Sequence, residues 1–365
     1  TNWIDIQTPQ DVGYSIITPE VIEAASHFHA DFPVPPLLPE YAAWPGAVAS
    51  ANLGAIETSP GSNNWVASGR LTATGRVLLA NDPHRGVTNP SLRYLVHLNA
   101  PGYNVIGSTE PTIPGVAIGH NGRVAWGLTI VGTDQADVFV EQLNPENLEE
   151  ASWQGEWYAL TRVVDTIPVK GEEPRIVEHR FSRHGPVFYV DSANHVAYAV
   201  RSTSNEPGTG GYLGALRLAE VTDCHGFIDA MEWYKAPTEN MICGDADGNI
   251  AWLAAALTPR RSRGWYGRLP VPGTGAYGWD GFRSHRELPQ EFNPERGWIG
   301  TSNHDIQPPG YYPPLYFKTG PFSRFDRQLQ MFANASGLTA DDFERMQHDA
   351  VFPYIADDRP FFSGW

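Results

Sequence analysis

Gly61-Ser62-Asn63-Asn64-Trp65-Val66 opens an apolar, strand-like run that continues through Leu71. After the turn at Thr74-Gly75, Arg76–Ala80 leads into Asn81-Asp82-Pro83-His84. Two such runs around a glycine turn predict a hairpin. A Gly-Ser bond at the start of its first strand carries chemistry if it is cut, because Ser62 then holds both a nucleophilic hydroxyl and its own base. A chain-end amine titrates near about 8, so part of it is unprotonated at neutral pH and can take the hydroxyl proton, directly or through one water. No second side chain is needed as general base. Taken alone, the same dipeptide is also the sequence of a plain turn.

The 365 residues, 41% of them hydrophobic, suffice for one or two globular domains with a large core. Gly 36, Pro 31 and Trp 12, with few long periodic stretches, predict many strands and turns. Acidic residues outnumber basic ones 41 to 25, a formal charge of -16, which argues against a nucleic-acid or anionic-membrane surface. The short clusters Arg260-Arg261-Ser262-Arg263 and Arg283 to Arg286 read as solvated loop charges. No run of about 18 apolar residues occurs, so no membrane span is predicted. Cys224 and Cys243 could pair in an exported protein or stand as two buried thiols. The sequence starts at Thr1 without an initiator methionine or a visible leader, which reads as a processed or excised segment.

A first helix is predicted over residues 18–28, with Thr18 as cap and Pro19 in the first turn. The proline-rich connector 33–39 and the small-residue linker 45–61 follow, giving the freedom that a displaceable segment ahead of the 61–62 bond requires. Strands are expected over 92–99, 116–118, 123–130 and 137–143, with a second strand-rich region from Tyr158 to Arg201. Residues 214–218 and 226–233 have helical patterns. The clearest helix is the last, with Thr339 as cap and Asp342 three positions on as the capping-box acid. Strand blocks and helical blocks without a regular βαβ period predict an α+β protein of stacked antiparallel sheets flanked by helices. The expected division is 1–61, the end of a leading chain with its linker, and 62–365, the core.

Read in order, Ser62-Asn63-Asn64-Trp65-Val66, Asn81-Asp82-Pro83-His84, Pro114 to Gly122, Trp126-Gly127-Leu128-Thr129, Leu269 to Gly275, Ser302-Asn303 and the Arg324 region resemble the penicillin acylase (penicillin amidase) family of N-terminal-nucleophile (Ntn) hydrolases. The resemblance spans roughly residues 55–350. It implies an αββα sandwich and a self-processing amidohydrolase that cleaves the acyl side-chain amide of a penicillin-like or other N-acyl amine through an acyl-enzyme on Ser62. N-acyl-homoserine lactones are the alternative substrate. An unprocessed, catalytically silent binding or scaffold protein is the alternative of another class. The resemblance further implies a periplasmic or secreted location, no organic cofactor, and partner segments of the α chain and of the C-terminal β chain beyond this sequence.

Residue by residue, the resemblance makes Gly61-Ser62 the processing bond and Ser62 the nucleophile. Glycine at 61 lets the hydroxyl reach the carbonyl without a Cβ in the way. No Gly-x-Ser-x-Gly elbow occurs, which argues against a Ser-His-Asp triad. His84 is expected to orient the Ser62 amine through its ring or backbone carbonyl. The Ile130 N–H and the Asn303 amide are the expected oxyanion donors. Arg324 is expected to position the amine and the asparagine, and its charge favours the free amine; Arg327 is a second candidate. A structural calcium is implied at the Asp134 and Asp137 side chains and the Ala136 carbonyl. Where the family pattern has a further aspartate, this chain has Pro313-Pro314. Residues 244–249 begin like an EF-hand loop but lack its glutamate, and read as a tight turn. Ile118, Leu128 and Ile130 are the expected pocket lining, and favour an aliphatic acyl group over phenylacetyl.

Overall fold

The computed structural model describes residue 15, residues 17–26 and residues 61–353 except 87, 88, 112, 317, 318 and 352. The proline-rich connector and most of the linker lie outside the described residues. The chain forms two compact units, one from 1–33, 134–207 and 258–282, the other from 34–133, 208–257 and 283–365.

The larger unit contains four layers. Its three-stranded sheet has Gly61–Ala67 in the middle, between Leu78–His84 and Trp298–Thr301. The predicted hairpin is there, in antiparallel register from Gly61 opposite His84 to Ala67 opposite Leu78. The second sheet has seven strands, with Val124–Ile130 paired to Glu239–Asp245 near its centre. Side chains alternate between its faces. Trp126, Leu128, Met241 and Cys243 pack against the helices Ala215–Leu218 and Cys224–Ala230, while Ile242, Trp252 and Ala254 meet Val66 and Ile299 of the small sheet. On the outer side of the small sheet, Trp65, Ala67 and Trp298 pack on Phe332 and Phe343 of the helices Ser323–Phe332 and Ala340–Gln347. Each such fully buried large side chain contributes roughly 1.5–3 kcal/mol. Helices, sheet, sheet and helices make the αββα sandwich of the Ntn hydrolases, an α+β fold.

Several local readings translate directly. Thr339 and Asp342 form the capping box of the last helix. The Asp245 carboxylate accepts the backbone N–H groups of Asp247 and Asn249, closing the tight turn expected there, and also that of Cys224 at 2.9 Å. Cys224 and Cys243 are joined as a disulfide, which settles the open alternative and ties a helix to the strand beneath it.

The smaller unit is built on an eight-stranded sheet into which Ala136–Asn144 and Val196–Ser202 are paired side by side. Val271-Pro272, from the Leu269–Gly275 motif, adds to it in parallel beside Phe139 and Val140. Trp265, Tyr277 and Trp279 cover Phe139 on that side.

Candidate active site

Ser62 lies fully buried near the start of the central strand of the small sheet. Its hydroxyl is 2.7 Å from the Gly61 carbonyl oxygen, to which it donates. Its backbone N–H donates to Asn303 Oδ1 at 2.7 Å. Asn303 stands just past the strand Trp298–Thr301 with a left-handed backbone (φ 63°), a conformation asparagine tolerates better than most side chains. That turn brings its amide over two neighbours, and Nδ2 donates to the Ile130 carbonyl at 2.8 Å. An amide NH₂ carries two protons, so one donor remains available beside Ser62.

Arg324, in the first turn of the helix Ser323–Phe332, fixes the other side of the asparagine. Its Nη2 donates to Asn303 Oδ1 at 3.0 Å, and Nη1 donates to the Ser62 carbonyl and to Asn63 Oδ1, the latter at 2.8 Å. Burial holds the Arg324 pKa below its ordinary value. The second candidate, Arg327, faces elsewhere and pairs with Asp349 at 2.9 Å.

Ile130 ends its strand and is 44% exposed. The Val131 N–H donates to the Thr238 carbonyl across the sheet. By the alternation of an antiparallel ladder, the Ile130 N–H is turned to the opposite edge, where the Leu128 N–H meets Asn81 Oδ1 at 2.8 Å. Asn81 Nδ2 in turn donates to the carbonyls of Asn63 and Leu128, pinning the nucleophile strand to this edge. Behind the site, Thr301 Oγ1 is 2.6 Å from both Asn64 Oδ1 and Thr129 Oγ1. Leu128 is wholly inside the core and Ile118 is half-buried against it, so of the expected pocket residues Ile130 is the one that reaches the surface.

His84 is opposite Gly61 in the register, on the face of the strand that looks toward the helix Ser323–Phe332, whereas the Ser62 side chain looks the other way. Its Nε2 lies 3.2 Å from Asn63 Nδ2 and 3.3 Å from Asp82 Oδ2. A Cβ on Gly61 would come within 2.9 Å of His84 Nδ1 and 3.0 Å of Arg324 Nη2, which is the local reason for glycine there. A cavity of about 270 Å³ borders this network, with Asn63, Asp82, His84 and Arg324 in its wall.

In the smaller unit, Asp134 and Asp137 share Arg261. Its guanidinium is 3.1 Å from Asp134 Oδ2 and 2.8 Å from Asp137 Oδ2, and the Trp279 indole N–H also donates to Asp137. Burial, opposed by Arg261, raises the pKa of Asp134 to about 6 and that of Asp137 above its ordinary value. Asp137 Oδ1 is buried without a partner. Two carboxylates and a nearby carbonyl form the hard-oxygen donor set that calcium takes, and that orphaned oxygen fits it, although Arg261 already balances the charge.

The penicillin amidase family model matches residues 9–361. The chain belongs to the penicillin amidase family. Among its relatives, the acyl-homoserine lactone acylase QuiP of Pseudomonas aeruginosa is 29% identical over 319 residues, covering 83% of this chain and 37% of its own length. The penicillin acylase 2 proenzyme of a Pseudomonas species is 30% identical over 299 residues, covering 81% of this chain and 38% of its own. The thermostable penicillin G acylase of Alcaligenes faecalis superposes with a TM-score of 0.70 at 24% identity, over 78% of this chain and 51% of that one, which shows the shared fold. The chain thus spans well under half the length of these two sequence relatives. Family membership and the Cys224–Cys243 disulfide agree with the periplasmic or secreted location expected from the sequence. Among the described residues no helix is long and apolar enough to cross a membrane.

Sequence reasoning did not single out Asn63, Asn81 or Asp82 individually, although all three stand inside motifs it quoted. Arg261 was read as a solvated loop charge and is instead buried between two aspartates.

Proposed function

We propose that the protein is a self-processing amidohydrolase that cleaves small N-acyl amines through an acyl-enzyme on Ser62. The observation that carries this reading is the contact of the Ser62 hydroxyl with the Gly61 carbonyl while the Ser62 nitrogen is held by Asn303, itself braced by Arg324. In maturation, Oγ attacks the Gly61 carbonyl carbon and the 61–62 amide is exchanged for an ester, which frees the amine of Ser62; water then cleaves the ester, leaving the Gly61 carboxylate and the Ser62 hydroxyl. That amine then takes the hydroxyl proton as Ser62 attacks the substrate amide, and returns it to the leaving amine. The Ile130 N–H and the Asn303 amide receive the oxyanion, Arg324 positions Asn303, and His84 orients the chain end through Asn63. A second water hydrolyses the ester.

The leaving amine proposed first is a homoserine lactone, supported by the relatives that act on acyl-homoserine lactones; a β-lactam nucleus is the second. A structural calcium at Asp134, Ala136 and Asp137 belongs to the same proposal, with the unpartnered Asp137 oxygen as its support. It would cross-link the loop and take no part in the chemistry.

Intact mass and turnover test the reading together. Chains split before Ser62 that release homoserine lactone from N-hexanoyl-homoserine lactone are expected. An uncleaved chain without amide hydrolysis would favour the silent scaffold.

A further inference from the structure

Arg85, immediately after the strand Leu78–His84, is half-buried and takes no part in the chemistry above. Its Nη1 donates to the His84 carbonyl at 2.7 Å and to the Gly61 carbonyl at 3.4 Å. A guanidinium Nη1 carries two protons, so both oxygens are served at once. The second oxygen belongs to the bond proposed to be cut, and the Ser62 hydroxyl reaches it as well, at 2.7 Å.

The direction of that carbonyl follows from the ladder. Backbone N–H and C=O groups of successive strand residues turn to alternate edges. Those of Ser62 both point to the Trp298–Thr301 side, where the N–H meets Asn303 and the C=O meets Arg324. The Gly61 carbonyl, one residue earlier, therefore turns to the Leu78–His84 side, away from both. Asn303, proposed above as a donor to the substrate oxyanion, is on the wrong edge for it. Cleavage of the 61–62 bond needs a donor of its own, and Arg85 is placed to be one.

The Arg85 charge is also free for that use. Among the described residues it pairs with no carboxylate. Glu239, opposite Ile130 in the register, faces it electrostatically, but burial pushes the Glu239 pKa up to about 8, so at neutral pH this carboxyl is mostly protonated. The other charges that face Glu239 are Arg93 and Glu110, which pair with each other at 2.9 Å. Tyr212 and Tyr234, beside it, have pKa values raised by burial and stay neutral.

We propose that Arg85 is the oxyanion donor of self-cleavage, a catalytic residue for maturation. This deepens the self-processing part of the proposed function and rests on it. As the bond from Oγ to the Gly61 carbon forms, the carbonyl π pair moves onto the oxygen, and Nη1 closes on the charge to the shorter distance of a charge-assisted bond. When the C–N bond breaks, that pair returns to the carbonyl, the Ser62 nitrogen takes up the former hydroxyl proton, and an ester remains. Attack of water on the ester makes the same oxygen an anion a second time, before the Gly61 carboxylate leaves. Arg85 keeps its own protons throughout.

The test follows cleavage of the full chain by intact mass after cell-free synthesis. Arg85→Met should cut roughly 10²-fold more slowly than the wild type, the range for losing one oxyanion donor. Arg85→Lys, which keeps a charged donor, should regain about tenfold of that loss. In Arg85→Ala, added methylguanidinium should speed cleavage while neutral methylurea should not. A wild type that cuts, with Arg85→Met cutting equally fast, would overturn the role of Arg85 and leave self-processing standing. Slow cutting that neither lysine nor methylguanidinium relieves would also overturn it and assign Arg85 to structure. A wild type that is never cut would overturn the self-processing reading itself, and this role with it.

Discussion

Asn303 and Arg324 form a single unit: Arg324 Nη2 donates to Asn303 Oδ1 at 3.0 Å, and the same oxygen accepts the Ser62 N–H at 2.7 Å. With Oδ1 committed twice, the amide cannot flip, and its NH₂ must face Ile130. Arg324→Met should therefore lower kcat by roughly 10²-fold, in the range for losing one oriented oxyanion donor, with a much smaller change in KM. A variant that raises KM alone would assign Arg324 to substrate binding.

Ser62→Ala should stop both cleavage of the 61–62 bond and amide hydrolysis, as read by intact mass and product release. Ser62→Cys should keep cleavage while losing turnover, because the thiolate attacks well but leaves a different acyl species to resolve. Normal cleavage in the alanine variant would rule out self-processing by Ser62.

Gly61→Ala separates maturation from catalysis. The added methyl would press on His84 Nδ1 and Arg324 Nη2, both tips of flexible side chains, so the fold should survive while cleavage slows. Once residue 61 has left, the active site is the wild-type one. The expected result is delayed processing followed by an unchanged kcat per cleaved chain, and a reduced kcat in fully cleaved material would contradict it.

Glu239 should make stability fall as pH rises from about 4.5 to about 8. Its pKa rises from 4.5 to about 8 on folding, so the folded state holds a proton that the unfolded state has released. The contribution is fully present below about pH 4.5 and is lost as pH rises through about 8, an effect on the order of a few kcal/mol. Denaturant titrations at pH 5 and pH 9 should show this slope in the wild type, and Glu239→Gln should flatten it. An identical slope in the variant would assign it elsewhere.

For the acids around Arg261, chelation should lower the melting temperature if calcium is bound, and Asp137→Ala should abolish that response. A melting curve indifferent to chelator, with Arg261→Met strongly destabilising, would show that the guanidinium alone balances the pair.

Much of the site was legible in the sequence because its residues sit in short motifs. Ser62, His84, Asn303 and Arg324, which the structure brings together, stand in such motifs, and the hairpin, the last helix's cap and the 244–249 turn follow from local rules. What escaped were features made by distant segments. Glu239 reads as an ordinary strand-edge residue until the register sets it against Ile130. Arg93, Glu110, Tyr212 and Tyr234 meet only through the fold. Arg324 is favoured over Arg327 by its spacing to Leu338–Asp341, but the helix Ser323–Phe332 that carries both is polar in composition and was not legible. Pairing of Cys224 with Cys243 depends on a helix lying over a strand, which spacing alone does not reveal.

The position of Ser62 inside a central strand would give the amine proposed to be freed there an unusual property. Chain ends are ordinarily the loosest parts of a protein. Here the new end would begin inside a ladder, with Ser62 opposite Pro83 on one side and Asn64 opposite Thr301 on the other. Under the proposed maturation, cutting the bond would therefore create a terminus that is already seated, the uncut chain being the template on which its own base is aligned.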